Sequence, residues 1–134
     1  MDKTNVSVDF RIMGEDYHPE VITNVLNIEP VRFWYKGDDI RNTGNKRKYT
    51  GWIFSTGYDE TLDINSQLSK IIKIFTPKVN LLLDLKKKYN LDYSIDIISI
   101  IENGEVPATY LESKTIRFIA NIDAMVDFDT YINE

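Results

Sequence analysis

The stretch that decides the fold runs from Asp63 to Tyr89 and reads DINSQLSKIIKIFTPKVNLLLDLKKKY. Apolar residues recur in it at steps of three and four, a spacing that places them on one face of a helix. These apolar residues are Ile64, Leu68, Ile71, Ile72, Phe75, Val79, Leu82 and Leu83. The rest of the chain reads as shorter, β-rich segments that this apolar face can cover.

Thr76 and Pro77 divide this stretch in two. A proline inside a helix removes a backbone donor and clashes with the preceding turn. Thr76 suits the N-cap of a second helix, with Pro77 at its first position. We therefore expect one helix over 64–75 and a second over 77–89, closed by Asn90.

The composition indicates one folded domain over residues 1–134, because 43% of the residues are hydrophobic and 12% are aromatic. The net charge of −5 disfavours general binding to nucleic acid or anionic membranes, since both require a surplus of Lys and Arg. The absence of cysteine removes disulfides, thiolate nucleophiles and cysteine-based zinc sites. With neither a secretory leader pattern nor an apolar run of membrane-spanning length, we expect a cytoplasmic protein without a membrane segment.

Alternation of apolar and polar residues predicts several strands around the central stretch. We place them over 6–13, 31–36, 51–56, 93–101 and 124–131. A helix that begins at Pro19 follows the first strand. Another helix over 114–122 precedes the last strand, and we expect it to turn Ile116, Ile119 and Ala120 inward.

The resulting order of elements predicts an α+β fold. The order β-α-β-β-α-β matches the ferredoxin-like arrangement, an antiparallel sheet with helices on one face. The final helix and strand then form a C-terminal α-β extension that lengthens or flanks this sheet. An antiparallel sheet covered on one side leaves its other face available to a partner.

Short motifs are spread over almost the whole length of the chain. They are an opening strand that ends in Gly14, HPEVIT at 18–23, LNIEP at 26–30, KGD at 36–38, Gly51-Trp52, and a closing segment at 122–131 with IDA and VDFDTY. In order and spacing they resemble a bacterial family catalogued as domain of unknown function 4279 (DUF4279). The resemblance implies a compact α+β domain without an established activity, and it lends no catalytic residues. It also suggests an immunity-type protein that neutralises a cognate toxin.

An acidic pair, Asp127 and Asp129, lies on the last predicted strand, where both side chains share one face with Tyr131. Two close carboxylates can bind a hard cation, or they can divide acid and base roles between them. That interpretation makes the protein a metal-assisted hydrolase. The alternative is an exposed strand face whose charges oppose aggregation.

The second predicted strand, VRFWYK, carries a distinctive aromatic group. Alternation places Arg32, Trp34 and Lys36 on one face of this strand. A tryptophan between two cations is typical of binding hot spots, and Trp52 on the next strand adds a second indole. The alternative is that Trp34 covers a loop while its charged neighbours are solvated.

The loop over 37–50 is locally basic and could contact nucleic acid or an acidic partner, and Tyr49 near its end offers an aromatic ring suited to stacking. Its cations are Arg41, Lys46, Arg47 and Lys48. The acidic charge of the whole chain favours a solvated loop over contact with nucleic acid.

His18, the only histidine, lacks the partners of a catalytic triad or a metal cluster.

Together these observations favour a non-enzymatic protein without cofactors that binds a partner protein through one sheet face. An immunity or inhibitor protein that binds a toxin fits this description. The candidate binding residues are Arg32, Trp34, Lys36, Trp52, Asp127, Asp129 and Tyr131. One alternative is a small-molecule sensing domain with a pocket between the sheet and the break at 76–77. The other is the metal-assisted hydrolase that uses Asp127 and Asp129.

Overall fold

The computed structural model describes residues 2–134. Its strands are β1 (Asn5–Gly14), β2 (Arg32–Trp34), β3 (Thr50–Ser55), β4 (Asp59–Glu60), β5 (Asp92–Ile101) and β6 (Met125–Ile132). Its helices are α1 (Pro19–Leu26), α2 (Asn65–Phe75), α3 (Val79–Tyr89) and α4 (Ser113–Asn121), with a 3-10 turn at Thr76–Lys78. The predicted α+β class is confirmed. None of the helices within residues 2–134 is long and apolar enough to cross a membrane.

The strands form a single sheet in the order β2-β3-β1-β5-β6, and the short β4 pairs with the start of β1. The pairs along this order are antiparallel apart from β5 and β6, which run parallel. The β1–β5 ladder is the longest antiparallel one, from Asn5 opposite Ile100 to Met13 opposite Asp92. A parallel pair requires a crossover connection, and α4 supplies it between β5 and β6.

The hydrophobic core lies between the helices and one face of this sheet. The even-numbered side chains of β1 point into it and are fully buried: Val6, Val8, Phe10 and Ile12. The rings of Phe10 and Phe75 meet edge to face, with their centroids 4.5 Å apart. In α3, Leu82 and Leu85 are buried whereas Leu83 is exposed, so the predicted apolar face is wrong at Leu83.

The break between α2 and α3 accounts for that shift. Thr76 and Pro77 lie in the 3-10 turn, and the second helix begins at Val79 rather than at Pro77. A 3-10 turn has three residues per turn, so it rotates the helix after it relative to an unbroken 3.6-residue repeat. As predicted, Asn90 closes α3: its backbone is left-handed and its N–H donates to the carbonyl oxygen of Lys86.

The inward face predicted for α4 is correct at Ile119 and wrong at Ile116 and Ala120, which are exposed. The buried positions at this end of the chain are Thr115, Phe118, Ile119 and Ile122. Residues two apart in a helix point about 200° away from each other, so Ile116 and Phe118 cannot share the core-facing side. The larger Phe118 occupies it, and the buried Thr115 lies on the same face.

Candidate functional site

The face of the sheet opposite the helices carries a row of carboxylates. Asp9, Asp96 and Asp127 are cross-strand neighbours on β1, β5 and β6. Asp127 was a predicted site residue, but the other two were not. The sequence contains one signal for Asp9 and Asp96. Each is an acidic residue within a strand that is otherwise largely apolar. Their meeting depends on the register between strands that are far apart in the chain.

Asp96, at the centre of this row, is held by two neighbouring side chains. The Nε atom of Arg11 lies 3.4 Å from its Oδ2 atom, and the hydroxyl of Ser94 donates to its Oδ1 atom. Burial raises the pKa of Asp96 above its ordinary value, and the negative charges of Asp127 and Asp9 raise it further. The hydrogen bond from Ser94 and the charge of Arg11 oppose this rise in the pKa.

An open groove of about 790 Å³ lies over Asp96 and Asp127 of this row, and we call it the acidic groove. Its charged lining residues are Arg11, Lys86, Asp92, Asp96, Asp123, Asp127 and Asp129. Both cations are already engaged, since Arg11 pairs with Asp96 and the Nζ atom of Lys86 donates to the carbonyl oxygen of Asp123 at 3.1 Å. With five carboxylates against two cations, the acidic groove presents an excess of negative charge.

The predicted face of β6 is confirmed by the β5–β6 register. Asp127, Asp129 and Tyr131 lie on it together, and the hydroxyl of Tyr131 donates to Oδ2 of Asp129 at 3.0 Å. That hydrogen bond raises the pKa of Tyr131. Within residues 2–134 no three His, Cys, Asp or Glu side chains come together in a group that could hold a metal ion.

β6 forms one edge of the sheet. The N–H of Asn133 donates to the carbonyl oxygen of Ile101, so the odd-numbered residues of this strand direct their backbone groups toward β5. Val126, Phe128 and Thr130 consequently direct their N–H and C=O groups away from the sheet. The exposed large apolar side chains of the strand are Met125, Phe128, Tyr131 and Ile132.

Trp34 lies on the same helix-free face, near the opposite edge of the sheet. Its side chain is only 9% exposed, and its indole N–H donates to the carbonyl oxygen of Tyr49 at 3.1 Å. The guanidinium carbon of Arg47 lies 4.1 Å from the centroid of the indole ring. Arg47 and Tyr49 of the loop therefore pack on Trp34, which agrees with the part of the alternative in which Trp34 covers a loop.

The remaining predicted site residues are dispersed. Arg32 is exposed at the start of β2, and Lys36 lies beyond its end with Nζ 3.6 Å from Oε1 of Glu15. Trp52 is fully buried on the helical side of the sheet, where its indole N–H donates to Oγ1 of Thr23 at 3.0 Å. The structure therefore assigns Trp52 to the core and does not bring the two indoles together.

A second cavity, which we call the basic pocket, has a volume of about 670 Å³ and lies between the sheet and the loop that follows β2. Its lining residues are Arg11, Met13, Trp34, Ile40, Asn45, Lys46, Arg47, Lys48 and Tyr49. It shares Arg11 and Met13 with the acidic groove, so the two cavities meet over β1. The helix-free face is thus polarised, with positive charge near β2 and negative charge near β6.

Comparison with known proteins places this chain in a family. Residues 3–133 match the family model described as domain of unknown function (DUF4279). No curated protein and no solved structure matches the chain. The matched region extends from the segment before β1 to the end of β6 and therefore includes both cavities. The chain belongs to the DUF4279 family, as the resemblance of its motifs predicted.

Proposed function

We propose that this chain is a non-enzymatic binding domain of the immunity or inhibitor type, which acts in the bacterial cytoplasm and holds a basic partner protein through β6 and the acidic groove. One observation carries the proposal. β6 is an edge strand of eight residues that combines outward-facing backbone groups with exposed apolar side chains and a face bearing two aspartates.

The backbone of β6 favours a protein as the partner. An extended segment of another chain can add to a sheet edge by main-chain hydrogen bonds, and the outward groups of Val126, Phe128 and Thr130 suit this mode. Proteins commonly protect an edge of this length because it otherwise invites pairing with other chains. The apolar side chains of Phe128 and Ile132 on one face, and of Tyr131 on the other, would be buried by such a partner.

The charge of the acidic groove favours a basic partner. Five carboxylates and two cations line it, and the whole chain has a net charge of −5. Complementary charge accelerates association and disfavours acidic partners. A toxin that itself binds nucleic acid has the positive surface that this groove requires.

We further propose that the sheet is ferredoxin-like, with α4 and β6 as its C-terminal extension. The antiparallel order β2-β3-β1-β5 and the two preceding helical connections support this interpretation. On this interpretation the extension contributes the binding strand with Asp127, while the ferredoxin-like part contributes Asp9 and Asp96, the other two carboxylates of the row.

Proline and valine substitutions at one position test the role of the β6 edge. The Thr130 N–H points away from β5, so Thr130→Pro removes a donor to the partner and spares the β5–β6 ladder. Thr130→Val is the matched control, because it keeps the N–H and the branched shape. We would capture partners from the native host on each variant and identify them by mass spectrometry.

The expected result is a stoichiometric basic protein that the wild-type chain and Thr130→Val retain and Thr130→Pro loses. Asp127→Asn should weaken the same complex, whereas Asp59→Asn, an equal charge change on β4, should not. Thermal melts would verify that each variant is folded. Equal capture by Thr130→Pro would place the interface elsewhere, and the absence of a partner for every variant would contradict the proposed function.

A further inference from the structure

We propose that the basic pocket is a binding site for a small organic anion, a phosphate monoester or carboxylate that carries a planar ring. This site lies near the β2 edge, four strand spacings or about 19 Å from the β6 edge. It is therefore distinct from the protein-binding strand proposed above, although Arg11 borders both cavities.

The charges of the basic pocket favour an anion. Four cations line it and no carboxylate does. Two of these cations have acidic partners. The Nζ atom of Lys46 lies 2.5 Å from Oδ1 of Asp39, and the Nε atom of Arg11 lies 3.4 Å from Oδ2 of Asp96. In the described part of the chain, residues 2–134, Arg47 and Lys48 form no ion pair. Arg47 and Lys48 therefore place two positive charges in one cavity, although the net charge of the protein is −5.

The position of Arg47 is fixed before any ligand binds. Its N–H donates to the carbonyl oxygen of Asp38 at 2.7 Å, and its own carbonyl oxygen accepts from the N–H of Gly37 at 2.8 Å. Its guanidinium stacks on the Trp34 ring, which leaves the N–H groups at its edge free to bind. A guanidinium held in this way loses little conformational freedom on binding, and its fork geometry matches carboxylate or phosphate oxygens.

The apolar part of the lining favours a ligand with a ring. This part consists of Met13, Trp34, Ile40 and Tyr49. Tyr49 is 56% exposed, next to Lys48, and its backbone carbonyl oxygen accepts from the indole N–H of Trp34. A pocket of about 670 Å³ falls within the range of roughly 300–1,000 Å³ that is usual for small-molecule sites. An inorganic ion alone would leave this apolar surface uncovered.

The two tryptophans provide a direct assay. In a ¹H–¹⁵N correlation spectrum, the indole signal of Trp34 reports on the pocket, and that of the buried Trp52 is an internal control. Phenyl phosphate is the probe, and inorganic phosphate and phenol are its two halves. We expect phenyl phosphate to shift the Trp34 signal in a saturable manner while the Trp52 signal stays in place. Each half alone should bind more weakly.

Charge variants separate a specific site from a diffuse effect. Arg47→Gln should weaken phenyl phosphate binding about tenfold or more, the usual effect of losing a charge-assisted hydrogen bond. Lys73→Gln makes a charge change of the same sign and size on the exposed side of α2 and should have no effect. Arg47→Lys, which keeps the charge but loses the fork, should give an intermediate affinity. The β6 variant Thr130→Pro should bind phenyl phosphate normally, so this test is independent of the protein partner.

Three outcomes would overturn the proposed site, and a fourth would refute the role of the ring. The first is an unchanged Trp34 signal at millimolar phenyl phosphate. The second is an equal loss of binding in Lys73→Gln and Arg47→Gln, which would indicate diffuse charge attraction. The third is a Trp34 shift with a single-stranded oligonucleotide but not with phenyl phosphate, which would make the pocket part of a nucleic-acid surface. Inorganic phosphate that bound as well as phenyl phosphate would refute the role assigned to the ring.

Discussion

The indole ring of Trp34 lies directly over Gly51, its cross-strand partner, so that a Cβ atom built on Gly51 would be 2.3 Å from Cζ2 of the indole. The glycine is therefore required for its small size. We expect Gly51→Ala to lower the free energy of unfolding by about 1–3 kcal/mol, the usual cost of overpacking. The ring must lift, which strains its hydrogen bond to Tyr49. Urea denaturation followed by circular dichroism measures this loss.

The same substitution in a Trp34→Ala chain tests whether contact with the indole causes this loss of stability. In a Trp34→Ala chain the space above Gly51 is empty, and alanine costs less conformational entropy than glycine in a strand. Gly51→Ala should then be neutral or slightly stabilising. An equal loss of stability in both backgrounds would show that the indole is not the cause.

Asp96 is expected to reduce stability at neutral pH. Its two cross-strand neighbours, Asp9 and Asp127, are also acidic, and burial raises its pKa above the ordinary value of 3.8. A raised pKa means that the fold favours the protonated form. Asp96→Asn should therefore increase the free energy of unfolding at neutral pH by roughly 0.2–1 kcal/mol, the scale of a cross-strand pair.

The gain in the free energy of unfolding of Asp96→Asn should depend on pH, and this dependence is the control. The favourable contribution of protonated Asp96 is complete below its unfolded pKa and is lost as the pH rises through its folded pKa. The difference between Asp96→Asn and wild type should therefore vanish below about pH 3.8. A destabilised Asp96→Asn variant at neutral pH would instead mean that the ion pair with Arg11 outweighs the repulsion.

We expect the protein to lose stability in alkali because two of its tyrosines are buried. The hydroxyl of Tyr17 donates to the carbonyl oxygen of Ile12, and that of Tyr93 donates to the carbonyl oxygen of Leu82, each at 2.6 Å. Burial raises the pKa of both phenols above the ordinary value of 10. Their contribution to stability is complete below pH 10 and declines as the pH rises from there toward the folded pKa.

Tyrosinate absorbance and circular dichroism, recorded together, test this expectation. The last two phenols should ionise only as the fold is lost. Tyr93→Phe removes one of them and should make stability fall less steeply above pH 10. Full ionisation of every tyrosine in a folded chain would contradict the burial of these two groups.

Because the backbone of Asn90 is left-handed, we expect the end of α3 to favour asparagine or glycine over other residues. Its φ of 55° is accessible to asparagine and glycine at little cost and penalises other side chains. We expect Asn90→Ala to lower the melting temperature through a loss of about 1 kcal/mol. Asn90→Gly should match or exceed the wild-type melting temperature. Equal melting of the alanine and glycine variants would contradict a role for this conformation.

Local patterns predict the β6 face and the break after Phe75 well. Alternation alone places Asp127, Asp129 and Tyr131 on one side of a strand, and the register confirms it. The proline at 77 marks the boundary between α2 and α3 to within two residues. Both features depend on backbone geometry within a few residues, so no knowledge of distant contacts is needed.

The rest of the candidate site depends on contacts between distant segments. Asp9 meets Asp96 only through the β1–β5 register, which no local pattern encodes. Likewise, alternation assigns Trp34 to a face but cannot show what covers it. The loop after β2 reaches Trp34 because Asp39 and Lys46 form a bridge that turns Arg47 back over the ring. The same limit explains the α4 error, since the contacts of α4 with distant segments decide whether Ile116 or Phe118 faces the core.

The central ladder between β1 and β5 has a consequence for the synthesis of the chain. β1 leaves the ribosome before its longest partner, β5, which begins only at Asp92. At about 5–20 residues per second, β1 waits roughly 5–20 s for that partner. During this interval its fully apolar face, which the finished fold buries against α2, is without its neighbour on one side. Apolar surface and an unpaired strand edge favour aggregation, so we expect a chain that ends before Asp92 to be less soluble than the full chain.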